Sequence, residues 1–90
     1  MKLTQAQVYT LLRLRAGTRY LVSGDQRFGV EVRYEVGGPN RDDVKSRSIV
    51  PLLKKGCVEF KSKPKDPDLH YEVTITRKGI TALTEVSNDN

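Results

Sequence analysis

The segment from Ser46 to Val86 constrains the fold more than any other part of the chain, because its hydrophobic period changes twice. It begins with apolar residues at helical spacing, namely Ile49, Val50, Leu52 and Leu53. Alternating apolar residues follow in two runs, Val58 and Phe60 and then Tyr71, Val73 and Ile75. A second helical stripe closes the segment, with Ile80, Leu83 and Val86. Since helices and strands differ in period, this order predicts a short helix, a β-hairpin and a closing helix.

Local signals support the boundaries of that segment. Gly56 follows two lysines at the end of the first helix, where a left-handed glycine can turn the chain into the first strand. Thr76 can accept hydrogen bonds from the backbone amides that start the closing helix. Because of Pro51, the sequence allows two different starts for the first helix. With Ser48 as the cap the proline is harmless but the helix is only about two turns long, whereas Ser46, the preferred cap, gives a longer and bent helix.

The hairpin of this segment has a long connection between its strands. The residues from Lys61 to Asp68 are polar and include Pro64 and Pro67. Because such residues favour turns and limit backbone freedom, we expect an exposed and rather stiff tip.

The first part of the chain predicts one helix. Thr4 and Gln7 form a capping-box pattern, in which each side chain satisfies a backbone donor at the helix start. Gly17 ends the helical spacing as a C-terminal glycine does. We therefore expect a helix from Thr4 to Ala16. Its apolar residues are Val8, Leu11, Leu12 and Leu14.

A β-hairpin is predicted next, from Thr18 to Val36. Its second strand has an apolar row of Phe28, Val30, Val32 and Tyr34, and an opposite row of Gly29, Glu31, Arg33 and Glu35. That alternation predicts a strand with the apolar row buried. Residues Arg19 to Ser23 form the partner strand, with Gly24-Asp25-Gln26 as the turn. Gly37-Gly38-Pro39-Asn40 should end the hairpin, because these residues favour a turn over continued pairing.

A chain of 90 residues has room for one domain. We expect this domain to span residues 1–86, with residues 87–90 as a disordered tail, and to adopt an α+β fold in the order α-β-β-α-β-β-α. The longest apolar runs are too short to cross a bilayer, and the start from Met1 to Gln7 lacks the apolar core of a signal peptide. The single cysteine, Cys57, allows no internal disulfide, so we expect a cytoplasmic protein with no membrane partner.

The sequence contains no pattern that predicts an enzyme, a cofactor or a metal centre. Cys57 and His70 are too few ligands for a zinc site. Cys57 fits a small strand residue, and His70 fits a solvated surface group near the hairpin tip. The acidic pairs are Asp42 with Asp43 and Asp66 with Asp68. They lie among turn-forming residues, so capping and turn roles explain them better than acid–base chemistry does.

The segment from Ser46 to Leu83 resembles the winged helix-turn-helix superfamily. The likeness is carried by Leu53-Lys54-Lys55-Gly56, which would end a recognition helix, and by Tyr71 to Leu83, which runs into a Thr-x-x-Gly helix start. The resemblance implies that the hairpin between them is a wing. Where the superfamily has a second helix, this chain has the Thr18–Val36 hairpin instead. The resulting order is similar to small phage and bacterial winged-helix-like proteins, and to the YjhX-type toxins of bacterial toxin–antitoxin modules.

Charge and resemblance together suggest a partner. The chain has 16 Lys and Arg residues against 11 Asp and Glu, a net charge of +5 that favours a polyanion. The resemblance implies three groups of DNA-binding residues. They are Lys45, Arg47 and Ser48 at the recognition helix, Lys61, Lys63 and Lys65 on the wing, and Arg77 and Lys78 at the start of the last helix. The leading hypothesis is a transcriptional regulator of phage or mobile-element type that binds double-stranded DNA as a homodimer.

A protein-interaction module on the same fold is the alternative hypothesis. Asp42 and Asp43 precede the recognition helix and would repel phosphates. A toxin–antitoxin component, a phage inhibitor of a host protein or an assembly adaptor would each fit. The aromatic residues are four Tyr and two Phe, and all of them are expected in buried rows or in the first helix. No stacking platform for single-stranded nucleic acid is therefore predicted.

Overall fold

The computed structural model describes residues 2–34 and 37–88. Its elements in chain order are α1 (Gln5–Arg15), β1 (Tyr20–Ser23), β2 (Gly29–Glu31), β3 (Val44–Lys45), α2 (Ile49–Lys54), β4 (Val58–Phe60), β5 (His70–Ile75) and α3 (Arg77–Asn88). The strands form a five-stranded antiparallel sheet in the order β3-β2-β1-β5-β4. The expected α+β class is confirmed. Within the described residues, the helices are all too short or too polar to cross a membrane.

The element order differs from the predicted one by an extra strand, β3, between β2 and α2. The paired residues are Val30 with Lys45, Glu31 with Val44 and Tyr34 with Arg41. The amide of Asp42 also donates to the carbonyl of Arg33 at 2.7 Å. Gly37 to Asn40 therefore lie in a turn, as predicted, but this turn leads into a further strand that the sequence did not predict. Glu35 and Val36, the predicted end of the first hairpin, lie outside the described residues.

Strand β2 turns a different row inward from the one expected. In the predicted buried row, Phe28 and Tyr34 are 49% and 57% exposed and Val30 is half-buried, whereas Val32, which follows β2, is buried as predicted. Gly29 and Glu31, from the opposite row, are buried. Gly29 lies so close to α2 that an added Cβ would collide with Cγ2 of Ile49. The approach of α2 therefore selects the smallest residue for the inner face, and this packing overrides the apolar alternation.

The hydrophobic core joins all three helices to one face of the sheet; the opposite face is called the open face below. The large, fully buried side chains include Leu11 of α1, Tyr20 and Val22 of β1, Ile49 and Leu52 of α2, and Val58 and Val73 of β4 and β5. Burial of each aliphatic side chain contributes roughly 1.5–3 kcal/mol. Leu12 and Ile80, which the helical spacing assigns to buried faces, are 36% and 45% exposed. Their helices turn Thr10 and Ala82 inward instead.

The ends of α1 follow their local signals. Oγ1 of Thr4 accepts a hydrogen bond from the amide of Gln7 at 3.1 Å, and Oε1 of Gln7 accepts one from the amide of Thr4 at 3.0 Å. The predicted capping box is therefore confirmed. After the helix, Gly17 adopts a φ of +108°, a conformation that only glycine takes readily.

Helix α2 starts later than the preferred prediction. Its N-cap residue is Ser48, whose side chain makes no capping hydrogen bond. Pro51 is therefore the third residue of a six-residue helix, a position where the missing N–H has no helical partner to lose. The predicted start near Ser46 is wrong, because it would set the proline deeper in the helix. Gly56 follows α2 with a φ of +81°, as predicted.

The hairpin of β4 and β5 is confirmed, with Val58 opposite Ile75 and Phe60 opposite Val73. Its connection is exposed, but it is not a free tip. The amide of Gly24, in the β1–β2 turn, donates to the carbonyl of Leu69 at 2.8 Å. The amide of Asp25 donates to the carbonyl of Pro67 at 3.3 Å. A Cβ on Gly24 would collide with the carbonyl of Asp66, so this close approach requires glycine.

Thr76 caps α3 as predicted, since its Oγ1 accepts a hydrogen bond from the amide of Gly79 at 3.1 Å. The same hydroxyl donates to the carbonyl of Gly56 at 2.6 Å, which ties α3 to the end of α2. The backbone of α3 is helical through Asn88, so the helix takes in part of the predicted tail. Residues 89–90 lie outside the described residues.

Replacing Gly29 by alanine tests the close approach of α2 to β2. Because the new Cβ would overlap with Cγ2 of Ile49, we expect the free energy of unfolding to fall by about 1–3 kcal/mol, the usual cost of overpacking. Urea unfolding followed by circular dichroism measures this change. Ile49→Leu lacks the Cγ2 branch, so Gly29→Ala should cost less in that background. An equal loss in both backgrounds would contradict the contact.

Candidate functional site

Two adjoining depressions lie where α1, the β2–β3 hairpin and the start of α2 meet. Their volumes are about 280 Å³ and about 380 Å³. Lys45, Ser46 and Arg47 line both depressions, and we call the two together the basic groove. The first depression adds Tyr9, Arg13, Glu31 and Arg33, and the second adds Arg27 and Phe28. Among the described residues that line the groove, Glu31 is the one acid against five cations.

The buried carboxylate of Glu31, 6% exposed as a residue, organises the groove from within. Its Oε1 accepts hydrogen bonds from the hydroxyl of Tyr20 at 2.5 Å and from Nη1 of Arg13 at 3.0 Å. Its Oε2 accepts one from Nε of Arg33. Burial opposes the charge, but the bonds from Tyr20, Arg33 and Arg13 outweigh burial and hold the pKa of Glu31 below its ordinary value. Burial and the bond to Glu31 raise the pKa of Tyr20 to about 12.

The same carboxylate holds two guanidinium groups at the edge of the groove. The side chains of Arg13 and Arg33 are 56% and 49% exposed. The hydrogen bond with Glu31 raises the pKa of Arg13, so its charge is permanent. A guanidinium carries more N–H donors than the single one that Glu31 accepts from each arginine. Both arginines are therefore anchored and still able to donate to an outside anion such as a phosphate.

One face of α1 forms a wall of the groove. Its residues are Ala6, Tyr9, Thr10 and Arg13. They share a face because residues three and four positions apart are neighbours on a helix. The hydroxyl of Thr10 donates back to the carbonyl of Ala6 at 3.0 Å, so its hydrogen bond stays within the helix. Nε2 of Gln5 donates to the hydroxyl of Tyr9 at 3.2 Å, and the tyrosine is 54% exposed.

Three of the residues predicted to bind DNA lie at this groove. Lys45 belongs to β3, Arg47 to the link that follows, and Ser48 to the start of α2. Contact with DNA stays a prediction for all three. Farther along the groove, Cζ of Arg27 lies 5.3 Å from the ring centre of Phe28, which is a cation–π contact.

The other predicted DNA-binding residues lie away from this group. They are Lys61, Lys63 and Lys65 in and after the turn that leaves β4, and Arg77 and Lys78 at the start of α3. Strand β4 is at the opposite edge of the sheet from β3, and Nζ of Lys61 contacts Oε2 of Glu72 at 2.5 Å. Lys78 packs near Gly56, where an added Cβ would lie 3.6 Å from Cδ of the lysine. Arg77 and Lys78 are therefore near the C-terminal end of α2, and the groove is at its start.

The sequence prediction misses Tyr9, Arg13, Arg27, Phe28 and Arg33. The spacing of Tyr9 and Arg13 on one helix face could have been read from the sequence. Phe28 could not, because its exposure depends on which row of β2 faces the helices. The expectation that all aromatic residues lie in buried rows or in α1 is wrong for Phe28 and Tyr34.

The single cysteine and the single histidine do not line the groove. In the described part of the chain, no group of three or more His, Cys, Asp or Glu side chains is placed to hold a metal ion. Cys57 is fully buried, and burial raises the pKa of its thiol. His70 is exposed, as expected.

No family model, no curated protein and no solved structure matches this chain. Its function is therefore inferred from the chemistry of the basic groove.

Replacing Glu31 by glutamine tests the anchor. Because the amide cannot accept all three donors as a carboxylate does, we expect a loss of about 1–3 kcal/mol in the free energy of unfolding at neutral pH. The folded pKa of Glu31 is lowered, so its stabilisation is fully present above the unfolded value near 4.5 and is lost as the pH falls through the folded value. The difference between the two proteins in urea unfolding should therefore shrink below pH 4.5.

Glu72→Gln is the matched control for that measurement. Glu72 also accepts from two cations, Arg19 and Lys61, but its side chain is 23% exposed. Ion pairs at such a surface are worth about 0–1 kcal/mol. If Glu31→Gln costs no more than Glu72→Gln at neutral pH, Glu31 is not the anchor described above.

Proposed function

We propose that this protein binds DNA and that the basic groove holds the sugar–phosphate backbone. The observation that carries the proposal is the cluster of Arg13, Arg33, Lys45 and Arg47 around one depression, with the buried Glu31 as the acid among them. Backbone phosphates are regularly spaced anions, and arginines bind them through paired N–H groups. The net charge of +5 supports the same partner.

A small winged-helix regulator of phage or mobile-element type is the form of this proposal that we favour. Its support is the chain order of α2, the β4–β5 hairpin and α3, with Gly56 and Thr76 at the junctions. Strands β1 to β3 stand where the superfamily has a second helix. Dimerisation stays a prediction, which light scattering with and without DNA would check.

The surface of α2 favours contact with the backbone over contact with the bases. The helix has six residues, and the half-buried ones include Val50 and Pro51, whose side chains offer base edges no hydrogen bonds. Lys54 is exposed, but it lies at the end of the helix. The basic groove beside the start of α2 therefore has the leading role in this proposal.

Titration with duplex DNA at several salt concentrations tests the proposal. Affinity should fall steeply with salt, with a logarithmic slope of about −0.9 for each phosphate contact. Arg47→Ala should weaken binding and make the slope shallower by about 0.9, because one contact is lost. Arg77→Ala is the matched control, since it removes the same side chain near the opposite end of α2 and should change the slope less.

Two outcomes would count against this proposal. A protein that binds no DNA even at low salt does not have the proposed function. If Arg47→Ala and Arg77→Ala change the affinity and the salt slope equally, the phosphate contacts are not specific to the groove. The double variant Lys63→Ala, Lys65→Ala tests the wing contact, and it should weaken binding less than Lys45→Ala, Arg47→Ala does.

A protein-interaction module is the second candidate, and the open face of the sheet favours it. Tyr34 is 57% exposed, and it pairs through its backbone with Arg41, whose guanidinium contacts Asp43 at 2.5 Å. An aromatic ring with charges at its rim is typical of protein interfaces. For this candidate, Tyr34→Ala should abolish binding of an identified protein partner and leave DNA binding unchanged. Loss of that partner in Arg47→Ala but not in Tyr34→Ala would contradict it.

A further inference from the structure

We infer that the basic groove accepts an unpaired nucleic-acid strand, with Tyr9 and Phe28 as stacking surfaces in its two depressions. This inference rests on the proposed function and names the form of nucleic acid that the same groove takes. It reverses the expectation that the chain offers no stacking platform.

The lining of the two depressions is the first observation. Tyr9 belongs to the first depression and Phe28 to the second, and Lys45 and Arg47 line both. A strand that crosses both depressions would therefore meet one aromatic ring in each, together with the cations that the two share. Grooves that bind single strands combine these two features, because cations hold the backbone and rings stack on the bases.

The exposure of the two rings is the second observation. Tyr9 is 54% exposed and Phe28 is 49% exposed, and neither belongs to the hydrophobic core. An exposed phenylalanine keeps its apolar surface in water, which costs free energy that burial would recover. A base stacked on the ring would remove that surface from water.

Polar contacts also lie beside both rings. The hydroxyl of Tyr9 accepts a hydrogen bond from Gln5 of the preceding turn at 3.2 Å. The backbone amide of Phe28 donates to Oγ of Ser23 at 3.0 Å, which fixes the backbone that carries the ring. The guanidinium of Arg27 covers one face of the Phe28 ring, so a base would stack on the other face. This contact limits the motion of the ring, which lowers the entropy that binding must remove.

The rings discriminate between an unpaired strand and a duplex. In a duplex the base faces are stacked on each other, so an outside ring can reach them only after unstacking. A duplex lying on the groove would meet the cations and leave Tyr9 and Phe28 uncovered. An unpaired strand engages both kinds of side chain, so it should bind more tightly. The ring and cation contacts are common to DNA and RNA, so the occupant is a single strand of either sugar.

Fluorescence anisotropy with the full chain tests this inference. The probes are labelled oligo(dT), oligo(rU) and a mixed-sequence duplex, each of about 20 units, a length above most single-module site sizes. We expect the better of the two single strands to bind at least about tenfold more tightly than the duplex at equal salt, since two rings each contribute to stacking. Comparison of oligo(dT) with oligo(rU) identifies the preferred sugar.

Variants of the two rings separate stacking from apolar contact. Tyr9→Leu and Phe28→Leu should each weaken single-strand binding by about fivefold or more, and each should weaken duplex binding less than that. Tyr9→Phe and Phe28→Tyr keep the ring and should retain single-strand affinity. Tyr34→Leu is the matched control, because it removes an exposed ring that does not line the groove. Thermal unfolding of each variant confirms that it is folded.

Tyrosine fluorescence provides a second readout, since the chain has four Tyr and no Trp. A base stacked on Tyr9 should quench part of this emission on titration with an unlabelled single strand. That part should be missing in Tyr9→Phe even though the affinity is retained.

The outcomes distinguish this inference from the proposed function. If the duplex binds as tightly as either single strand, and the leucine variants bind both forms normally while Arg47→Ala weakens them, the groove is a backbone site without stacking. That result overturns the inference and keeps the proposed function. If no form of nucleic acid binds at low salt, both fail.

Discussion

The carboxylate of Glu31 is the interaction on which the rest of the groove depends. A buried charge without partners would be costly, but here three donors from α1, β1 and the segment after β2 converge on it. The bonds to Tyr20 and Arg13 connect the sheet to α1 at a point where the polar groove interrupts the apolar packing. The bonds to Arg13 and Arg33 fix the two exposed arginines. The hydrogen bonds of Glu31 therefore both stabilise this part of the fold and position the cations of the groove.

The direction of Glu31 also sets which side chains of β2 reach solvent. With Glu31 turned toward α1 and Gly29 against Ile49, the alternation of the strand leaves Phe28 exposed beside the second depression. If β2 turned its other face toward the helices, Phe28 would be buried and the side chain of Glu31 would lie on the open face. This arrangement would also separate Arg13 from its acceptor. The exposure of Phe28 and the anchoring of the two arginines therefore both follow from which face of β2 points inward.

This dependence explains what the sequence could and could not predict. Thr4 with Gln7, Gly17, Gly56 and Thr76 act through neighbouring residues, so their structures were predictable. Which face of β2 points inward depends on packing against Ile49, which is distant in the chain. The apolar alternation therefore predicted the wrong face. Strand β3 was missed because its flanking residues, Asp42 and Asp43, are poor strand formers, and it forms only by pairing with β2. Lys45, Arg47 and Ser48 were predicted as site residues, while Arg13, Arg33 and the two rings join them only through tertiary structure.

The distribution of ion pairs separates the groove from the open face of the sheet. Outside the groove, Glu72 contacts Arg19 and Lys61, and Asp43 contacts Arg41, so these three cations each have an acidic partner. In the groove, Glu31 alone faces five cations among the described lining residues. This excess makes one concave surface positive, and a field acts most strongly on a polyanion in a concave surface. Cations spread singly over the surface would favour solubility without favouring any one binding site, so the excess in one depression is the stronger reason to assign binding to the groove.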